Sequence, residues 1–141
     1  KTTIMWWIYA LLSAFFASLT AIFAKIGVTN VNANLATAIR TVVILIVAWG
    51  IVLARGEAKG LSTLSKHNVL FLVVSGIATG LSWICYFKAL QMGKVSQVAP
   101  VDKLSVALTI VLSVVFLGEA LTLKTALGAL LIVAGTVVLI L

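Results

Sequence analysis

The sequence is poor in charged residues, and acidic side chains are the rarest of them. Of its 141 residues 9% are charged, with three acidic side chains against ten basic ones. A soluble domain of this length needs far more charge to cover its surface. Because 63% of the residues are hydrophobic, the composition excludes a soluble globular domain and indicates a membrane protein.

Cysteine and histidine are nearly absent, which excludes several kinds of chemistry. The chain has one cysteine, Cys85, in an apolar run, and one histidine, His67, in a polar connection. One cysteine gives neither a disulfide framework nor a metal cluster. An intramembrane enzyme needs a nucleophile–base pair or a set of metal ligands, and neither is visible. We therefore expect no metal, no cofactor and no enzymatic activity.

Long apolar runs are what the chain has instead. A bilayer crossing takes about twenty apolar residues, so this length allows five helices and no soluble domain. The first run is longer than the core of a signal peptide, and we expect it to be a retained helix. We predict an all-α membrane protein, a five-transmembrane-helix bundle with helices at about residues 4–24, 35–53, 69–90, 99–117 and 123–141.

Local signals predict how these helices begin and end. Asn34 is predicted to cap the second helix, and Thr122 to cap the fifth. Pro100 is predicted to lie in the first turn of the fourth helix, where its missing N–H costs nothing. Glu119 is interpreted as a structural residue that accepts backbone N–H groups in the turn or pairs with Lys124.

The basic residues are dispersed rather than clustered. A net charge of +7 would suggest nucleic acid for a soluble protein, but here anionic lipid headgroups explain it, and we expect no nucleic-acid partner. An up-and-down path puts five cations on each side, and discounting those inside helices favours a cytoplasmic N-terminus. Insertion in both orientations stays open. The two sides are Lys1, Arg55, Lys59, Lys66 and Lys124, against Lys25, Arg40, Lys88, Lys94 and Lys103.

Polar residues recur at helical spacing on the third and fourth predicted helices. Such a stripe shares one helix face and gains nothing from lipid, so we interpret it as the wall of a solute pathway. The alternative is that these hydroxyls bond their own backbone. The two stripes are Ser75, Thr79, Ser82 and Tyr86 on the third helix, and Asp102, Ser105, Thr109 and Ser113 on the fourth.

Three cations and one carboxylate are predicted near the same end of the membrane, namely Arg40, Lys88, Lys103 and Asp102. They cannot all be neutralised in pairs, so one interpretation is a basic mouth that attracts anionic or carboxylate-bearing solutes. The alternative is snorkelling to lipid phosphates plus an ion pair of Asp102 with Arg40 or Lys88.

Small and aromatic residues mark faces for close contact. Gly76 and Gly80 form a close-packing signal, and Trp83 and Phe87 lie on the same face of the third helix. Trp83 is too deep for an interfacial belt, so it is either packed core or cavity lining. The last helix carries a heptad-like seam that indicates oligomerisation, made by Gly128, Leu131, Gly135 and Val138.

The segment that opens with Ala99-Pro100 and closes with Leu117-Gly118-Glu119 carries a family resemblance. It resembles the motif that ends each half of drug/metabolite transporters, specifically the EamA domain. The resemblance covers essentially the whole chain, since one EamA repeat has five helices of about this length. At the positions of Asp102 and Lys103 the motif has more apolar residues, and in carrying this charged pair the chain resembles the short single-repeat members of the family.

The resemblance implies a carrier in the cell membrane of a prokaryote. Two-repeat relatives enclose a central cavity and work by alternating access; one repeat cannot, so the resemblance implies a homodimer, with an antiparallel arrangement reproducing the family geometry. The expected cargo is a small polar or amphipathic metabolite. Its site would be lined by Asp102, Lys103, Arg40, Trp83, Tyr86, Ser105, Thr109 and Lys88.

Two other functions stay open. A non-transporting membrane subunit would pack its stripes against a larger partner, leaving no hydrated cavity. A multidrug exporter similar to small multidrug resistance proteins would need an acid in the first helix, which this chain does not have. If transport is coupled to protons, Asp102 is the acid best placed for it.

Overall fold

The structure is a computed structural model that describes residues 5–141. Within this range the chain forms α-helices and one short 3₁₀ helix, and no strand. The start of the predicted first helix at residue 4 lies outside the described residues, as does Lys1. The helices are α1 (Trp6–Gly27), α2 (Ala33–Ala54), the 3₁₀ helix (Glu57–Thr63), α3 (Lys66–Met92), α4 (Val95–Asp102), α5 (Leu104–Leu117) and α6 (Leu123–Ile140).

Five segments are long and apolar enough to cross a membrane: α1, α2, α3, the consecutive pair α4 and α5, and α6. The prediction of an all-α protein with five membrane-spanning helices is confirmed. The 3₁₀ helix lies in the polar connection between α2 and α3. His67 lies in the first turn of α3, because that helix begins at Lys66 rather than after the polar connection.

The cap of α2 differs from the prediction. Asn32 is the N-cap, and its side-chain oxygen accepts the N–H groups of Asn34 at 2.9 Å and Leu35 at 3.4 Å. Asn34 therefore lies inside the helix. Asn30 adopts a left-handed conformation with φ 62°, which asparagine tolerates better than most residues. That conformation turns the chain early enough for Asn32 to act as the cap.

The fourth span is not one continuous helix from residue 99 to 117. α4 begins at Val95, so Pro100 lies in the helix interior and not in its first turn. Its ring removes the N–H that would bond the carbonyl of Ser96. Three residues later the chain tightens at Lys103, whose N–H bonds the carbonyls of Ala99 at 3.2 Å and Pro100 at 3.0 Å. The span is thus two helices joined at Lys103.

The turn between α5 and α6 is closed by a left-handed glycine. Gly118 has φ 67°, and the N–H groups of Gly118 and Glu119 both point to the carbonyl of Ser113, the latter at 3.3 Å. This is the usual way in which a helix ends at a glycine. Thr122 caps α6 by accepting the N–H of Thr125 at 3.2 Å, as predicted.

Glu119 does not make the contacts predicted for it. Its side chain is exposed, and within residues 5–141 the ion pairs are Arg55 with Glu57 and Asp102 with Lys103. The glycine turn satisfies the end of α5 through main-chain N–H groups. It therefore needs neither a carboxylate acceptor nor an ion pair with Lys124.

The chain divides into two compact units. The segment ending at Phe23 joins Met92–Leu141 in one unit, which we call the split unit. Within it α6 packs along both α4 and α5. Ala24–Gln91 forms the other, which we call the central unit. Its buried side chains gather at the end of α1, the start of α2 and the end of α3, namely Val28, Ala33, Thr37, Phe87 and Leu90.

Most apolar side chains along the spans are exposed on a single chain. Ile46 on α2 is 66% exposed, Leu72 on α3 63%, and Leu131 on α6 70%. In water such a surface would aggregate, whereas in a bilayer it contacts lipid or another protein. The glycines of the predicted seams, such as Gly80 and Gly128, have open space around them, so these faces are available to a neighbour.

Candidate functional site

Arg40 of α2 lies against two aromatic rings of α3. It is seven residues past Ala33, about 10 Å along the helix axis at 1.5 Å per residue. Its guanidinium carbon is 4.5 Å from the centroid of the Trp83 ring and 5.2 Å from that of Phe87. Trp83 and Phe87 are four residues apart and share one face of α3. The structure therefore brings together two of the predicted site residues and adds Phe87.

A cation inside a membrane-spanning helix is costly unless something stabilises it. Contact with an aromatic face contributes about 0.5–2 kcal/mol, which offsets only part of that cost. Among residues 24–91 the sole carboxylate is Glu57, and it pairs with Arg55 at 3.5 Å. Arg40 is thus held by aromatic rings and has no carboxylate partner within the central unit.

The other predicted residues of α3 are placed differently. Tyr86 is half-buried, with its ring centroid 6.2 Å from that of Phe87. Lys88 is exposed. Burial increases towards the end of α3, where Phe87 is 1% exposed and Leu90 is fully buried. The Trp83–Phe87 face is therefore the one that packs, and Lys88 lies off it.

Asp102 and Lys103 form an ion pair at the junction of α4 and α5. The Lys103 ammonium nitrogen is 3.2 Å from the Asp102 carboxylate, and the side chains are 58% and 34% exposed, respectively. The carboxylate thus has a partner on its own segment, and an ion pair of Asp102 with Arg40 or Lys88 stays a prediction. Adjacent residues meet here because the chain turns tightly at Lys103. At this exposure the pair adds little stability.

The hydroxyl stripe of the fourth span is largely open. Ser105 and Thr109 are exposed on α5. Ser113 is partly buried, and its hydroxyl donates to the carbonyl of Ile110 at 3.0 Å. Asp102, the first member of the stripe, belongs to α4, so the stripe crosses the junction between the two helices.

The stripe of α3 behaves similarly. Ser75, Thr79 and Ser82 are all exposed on the single chain. The Thr79 hydroxyl donates to the carbonyl of Ser75 at 2.9 Å, which is the local backbone bond expected under the alternative interpretation. Both stripes thus combine local bonds with hydroxyls that face away from the chain's own packing.

Two polar side chains that sequence reasoning did not assign a role fasten the turn between α1 and α2 to the end of α3. The Lys25 ammonium donates to the carbonyl of Leu90 at 2.5 Å. The Gln91 amide donates to the carbonyl of Val28 at 3.2 Å and to that of Val31. The sequence offered one signal for this role: Lys25 and Gln91 are long polar side chains next to the apolar ends of helices. A cavity of about 410 Å³ adjoins this junction.

The described residues do not gather the ligands of a metal site. Within residues 5–141 no three side chains of the histidine, cysteine, aspartate and glutamate types lie together. The chemistry on offer is therefore that of cations, hydroxyls and aromatic rings. These groups bind and orient a ligand by charge, hydrogen bonds and stacking.

Five apolar spans that carry an arginine, an aspartate and hydroxyl stripes define a multi-pass membrane protein with polar groups inside its membrane region. Ionisable residues at such positions are typical of proteins that move solutes across the bilayer. Residues 4–141 match the EamA-like transporter family. The chain belongs to this family and is a membrane transporter.

Two relatives show how far the similarity extends. An uncharacterized transporter in the cobO 3' region of a Sinorhizobium species is 50% identical over 134 residues, which cover 95% of each chain. An uncharacterized protein of Methanocaldococcus jannaschii is 30% identical over 132 residues, covering 94% of this chain and 93% of the relative. No solved structure matches the chain significantly.

Proposed function

We propose that this chain acts as a homodimeric carrier that moves a small polar or amphipathic metabolite by alternating access, without chemically converting it. Asp102, Lys103, Ser105 and Thr109 on the fourth span and Tyr86 on α3 would line the pathway, with Arg40, Trp83 and Lys88 contributing charge and shape. The relatives come from a bacterium and an archaeon, which supports the cell membrane of a prokaryote as its location.

The observation that carries this proposal is the openness of the two hydroxyl stripes on a single repeat. Ser82 and Thr109, for example, are exposed although both lie within membrane-spanning segments. Lipid offers these groups no hydrogen bonds. A second copy placed over the stripes would enclose them in a polar pathway, which is how repeated halves build a transport site.

The length of the relatives supports assembly from separate copies. Both relatives are matched over at least 93% of their own length, so they too are about one repeat long. A carrier with two repeats encloses its cavity between them, and two single-repeat chains supply the same parts. Because the number of spans is odd, an antiparallel pair reproduces the inverted arrangement of two linked repeats.

Transport by the purified protein in liposomes tests the function. We expect saturable uptake of one class from a panel of labelled amino acids, carboxylates, amines, nucleosides and quaternary ammonium compounds. Thr109→Val should lower that uptake about 2- to 10-fold, the value of a hydrogen bond to a ligand. Thr63→Val, in the 3₁₀ helix, is the matched control and should transport normally. Uptake equal to that of protein-free liposomes for every class would favour the membrane-subunit alternative.

The arrangement of the two copies is tested by labelling. A Cys85→Ser background with a single cysteine from Ser62→Cys is treated with a membrane-impermeant maleimide on intact cells. An antiparallel dimer predicts that half of the molecules are labelled before lysis. Complete labelling or none indicates a fixed orientation, and a monomer in single-molecule bleaching of the labelled protein contradicts the dimer.

A further inference from the structure

The contact between Arg40 and the rings of Trp83 and Phe87 does not use the N–H donors of the guanidinium. A guanidinium has five N–H donors, all in its own plane, in a fork that matches a carboxylate or a phosphate. An aromatic ring attracts the positive charge but accepts none of these donors as an oxygen would. The two rings, at 4.5 and 5.2 Å, therefore fix the position of the cation and leave its hydrogen-bonding capacity for another group.

The charge balance of the central unit shows which kind of group is missing. Residues 24–91 contain six basic side chains and one acidic side chain, Glu57. Glu57 pairs with Arg55, and both side chains are well exposed. Lys25 is bonded to a main-chain carbonyl at the buried junction. The unit therefore has no carboxylate of its own to meet the Arg40 guanidinium inside the span.

The Arg40 side chain is held in place by packed aromatic residues, unlike a mobile side chain on the surface. Phe87 is 1% exposed and Trp83 is half-buried, so the rings that hold the cation are themselves held by the fold. An arginine near a helix end commonly extends to the headgroup region. Here its side chain lies along α3 instead, against rings one helical turn apart.

We propose that Arg40, positioned by Trp83 and Phe87, binds an anionic oxygen group, a carboxylate or a phosphate, that enters the membrane region with a ligand. The ligand is either the cargo or an anionic lipid headgroup, and its anionic group accepts two parallel N–H bonds from the guanidinium. Assignment to the cargo rests on the carrier function proposed above. Phe87 and Trp83 act as positioning residues.

Trp83 supplies an internal reporter for the test. With Trp6, Trp7 and Trp49 changed to phenylalanine, the emission comes from the ring that contacts Arg40. The protein is placed in nanodiscs of phosphatidylcholine and titrated with inorganic phosphate and with succinate, using chloride at equal ionic strength as the reference. We expect a saturable change in emission with phosphate or succinate and none with chloride.

Variants of Arg40 separate binding from packing. Arg40→Gln should abolish the response, and Arg40→Lys should weaken it about tenfold or more, since lysine keeps the charge but loses the fork. The matched control is Lys59→Gln, which removes an exposed cation of the 3₁₀ helix and should leave the titration unchanged. An unchanged titration in Arg40→Gln would overturn the proposal, as would the absence of any response in the parent protein.

A second measurement requires no change at Arg40. The chain has two arginines, so Arg55→Lys leaves Arg40 as the only target of phenylglyoxal, with modification followed by mass spectrometry. Bound phosphate or succinate should slow the modification several-fold relative to chloride. Equal modification rates in all three salts contradict the proposal even if the Arg40 variants fail to fold.

The lipid arm distinguishes the two sources of the anion. In nanodiscs that also contain phosphatidylglycerol, a lipid ligand shifts the Trp83 emission before any salt is added, and phosphate then adds nothing. That outcome supports the anion site and assigns it to a headgroup. If anions bind but no class of compound is taken up in liposomes, the anion site is supported and the carrier function is contradicted. If uptake occurs but no anion binds, the carrier function stands and only the anion site is contradicted.

Discussion

The two units of the chain use their polar side chains in different ways. In the central unit, Lys25, Arg40 and Gln91 reach groups far away in sequence: the carbonyls of Leu90 and Val28 and the ring of Trp83. In the split unit, Asp102 pairs with its neighbour Lys103, and Ser113 bonds its own helix. One long-range side-chain bond stands out there, from the Thr136 hydroxyl to the carbonyl of Pro100 at 3.3 Å.

This difference indicates how each unit is held. The central unit depends on a small buried cluster and on side chains that fasten one helix end to another. The split unit depends on helix-to-helix contact of α6 with α4 and α5 and on backbone turns. We therefore expect single substitutions to cost more stability at the junction of the central unit than in the split unit.

The largest effect is expected for Phe87→Ala. Removing a fully buried aromatic side chain leaves a cavity and costs about 3–5 kcal/mol. The matched control is Phe71→Ala on the same helix, where the ring is 60% exposed and the loss should be small. Both are measured by denaturant titration of the detergent-solubilised protein. Equal losses at the two positions would show that the buried cluster does not determine the stability of the central unit.

The next effect is expected for Gln91→Leu. The change keeps a side chain of similar size but removes the amide that bonds the carbonyls of Val28 and Val31. Leaving partly buried carbonyls without a donor costs about 1–3 kcal/mol. The unfolding midpoint should fall, whereas Gln97→Leu, at an exposed position of α4, should leave it nearly unchanged. A similar shift in both variants would remove the special role of the junction.

A smaller effect is expected in the split unit for Gly118→Ala. A left-handed conformation costs a residue with a Cβ about 1–2 kcal/mol, and Gly118 has φ 67°. Gly118→Asn should cost less than alanine, since asparagine tolerates this region. Gly50→Ala, within α2, is the control and should be neutral or slightly stabilising. Thermal unfolding followed by circular dichroism orders the three variants.

The smallest effect is expected for Thr136→Val. Thr136 is 4% exposed, and its hydroxyl shares its proton between the carbonyls of Ile132 at 2.8 Å and Pro100 at 3.3 Å. Interhelical bonds of this kind contribute about 0.6 kcal/mol in membrane proteins. Thr41→Val, whose hydroxyl bonds only one turn back along α2, should cost less. A loss larger than that of Gln91→Leu would reverse the contrast between the two units.

Hydropathy was sufficient to predict the five membrane-spanning segments and their helical character, although not the division of the fourth span into two helices. A bilayer satisfies no backbone group, so each crossing must be a complete helix of apolar residues, and this leaves a strong signal. Helix ends were predicted less well. Asn30, Asn32 and Asn34 all have the chemistry of a cap, and the choice among them depends on which one takes the left-handed turn.

Pro100 shows a second limit of local reasoning. Proline favours the first turn of an isolated helix. Within a membrane it is also tolerated in a helix interior, because a neighbouring helix can supply a hydrogen bond there. In this protein the neighbour is α6, where the Thr136 hydroxyl, 36 positions away, donates to the carbonyl of Pro100. No pattern around Pro100 indicates that partner.

The candidate site was predicted in its residue types but not in its contacts. Arg40 stood out as a charge within a span, and Trp83 as an aromatic residue too deep for the interface. Their contact depends on how α2 and α3 are rotated about their axes, which no single stretch of sequence fixes. Phe87 was not among the predicted site residues. Its spacing of four residues from Trp83, which puts both rings on one helix face, was the signal that could have included it.

The fastening of the turn between α1 and α2 relies on acceptors that every amino acid possesses. Lys25 and Gln91 donate hydrogen bonds to the main-chain carbonyls of Leu90, Val28 and Val31 and not to their side chains. These bonds therefore place no demand on which side chains the three acceptor residues carry. Burial still limits Val28 and Leu90, at 3% and 0% exposed, to aliphatic residues of similar volume. An engineer wishing to re-tune this end of the molecule would start at the partly exposed Val31 and leave the two long polar residues in place.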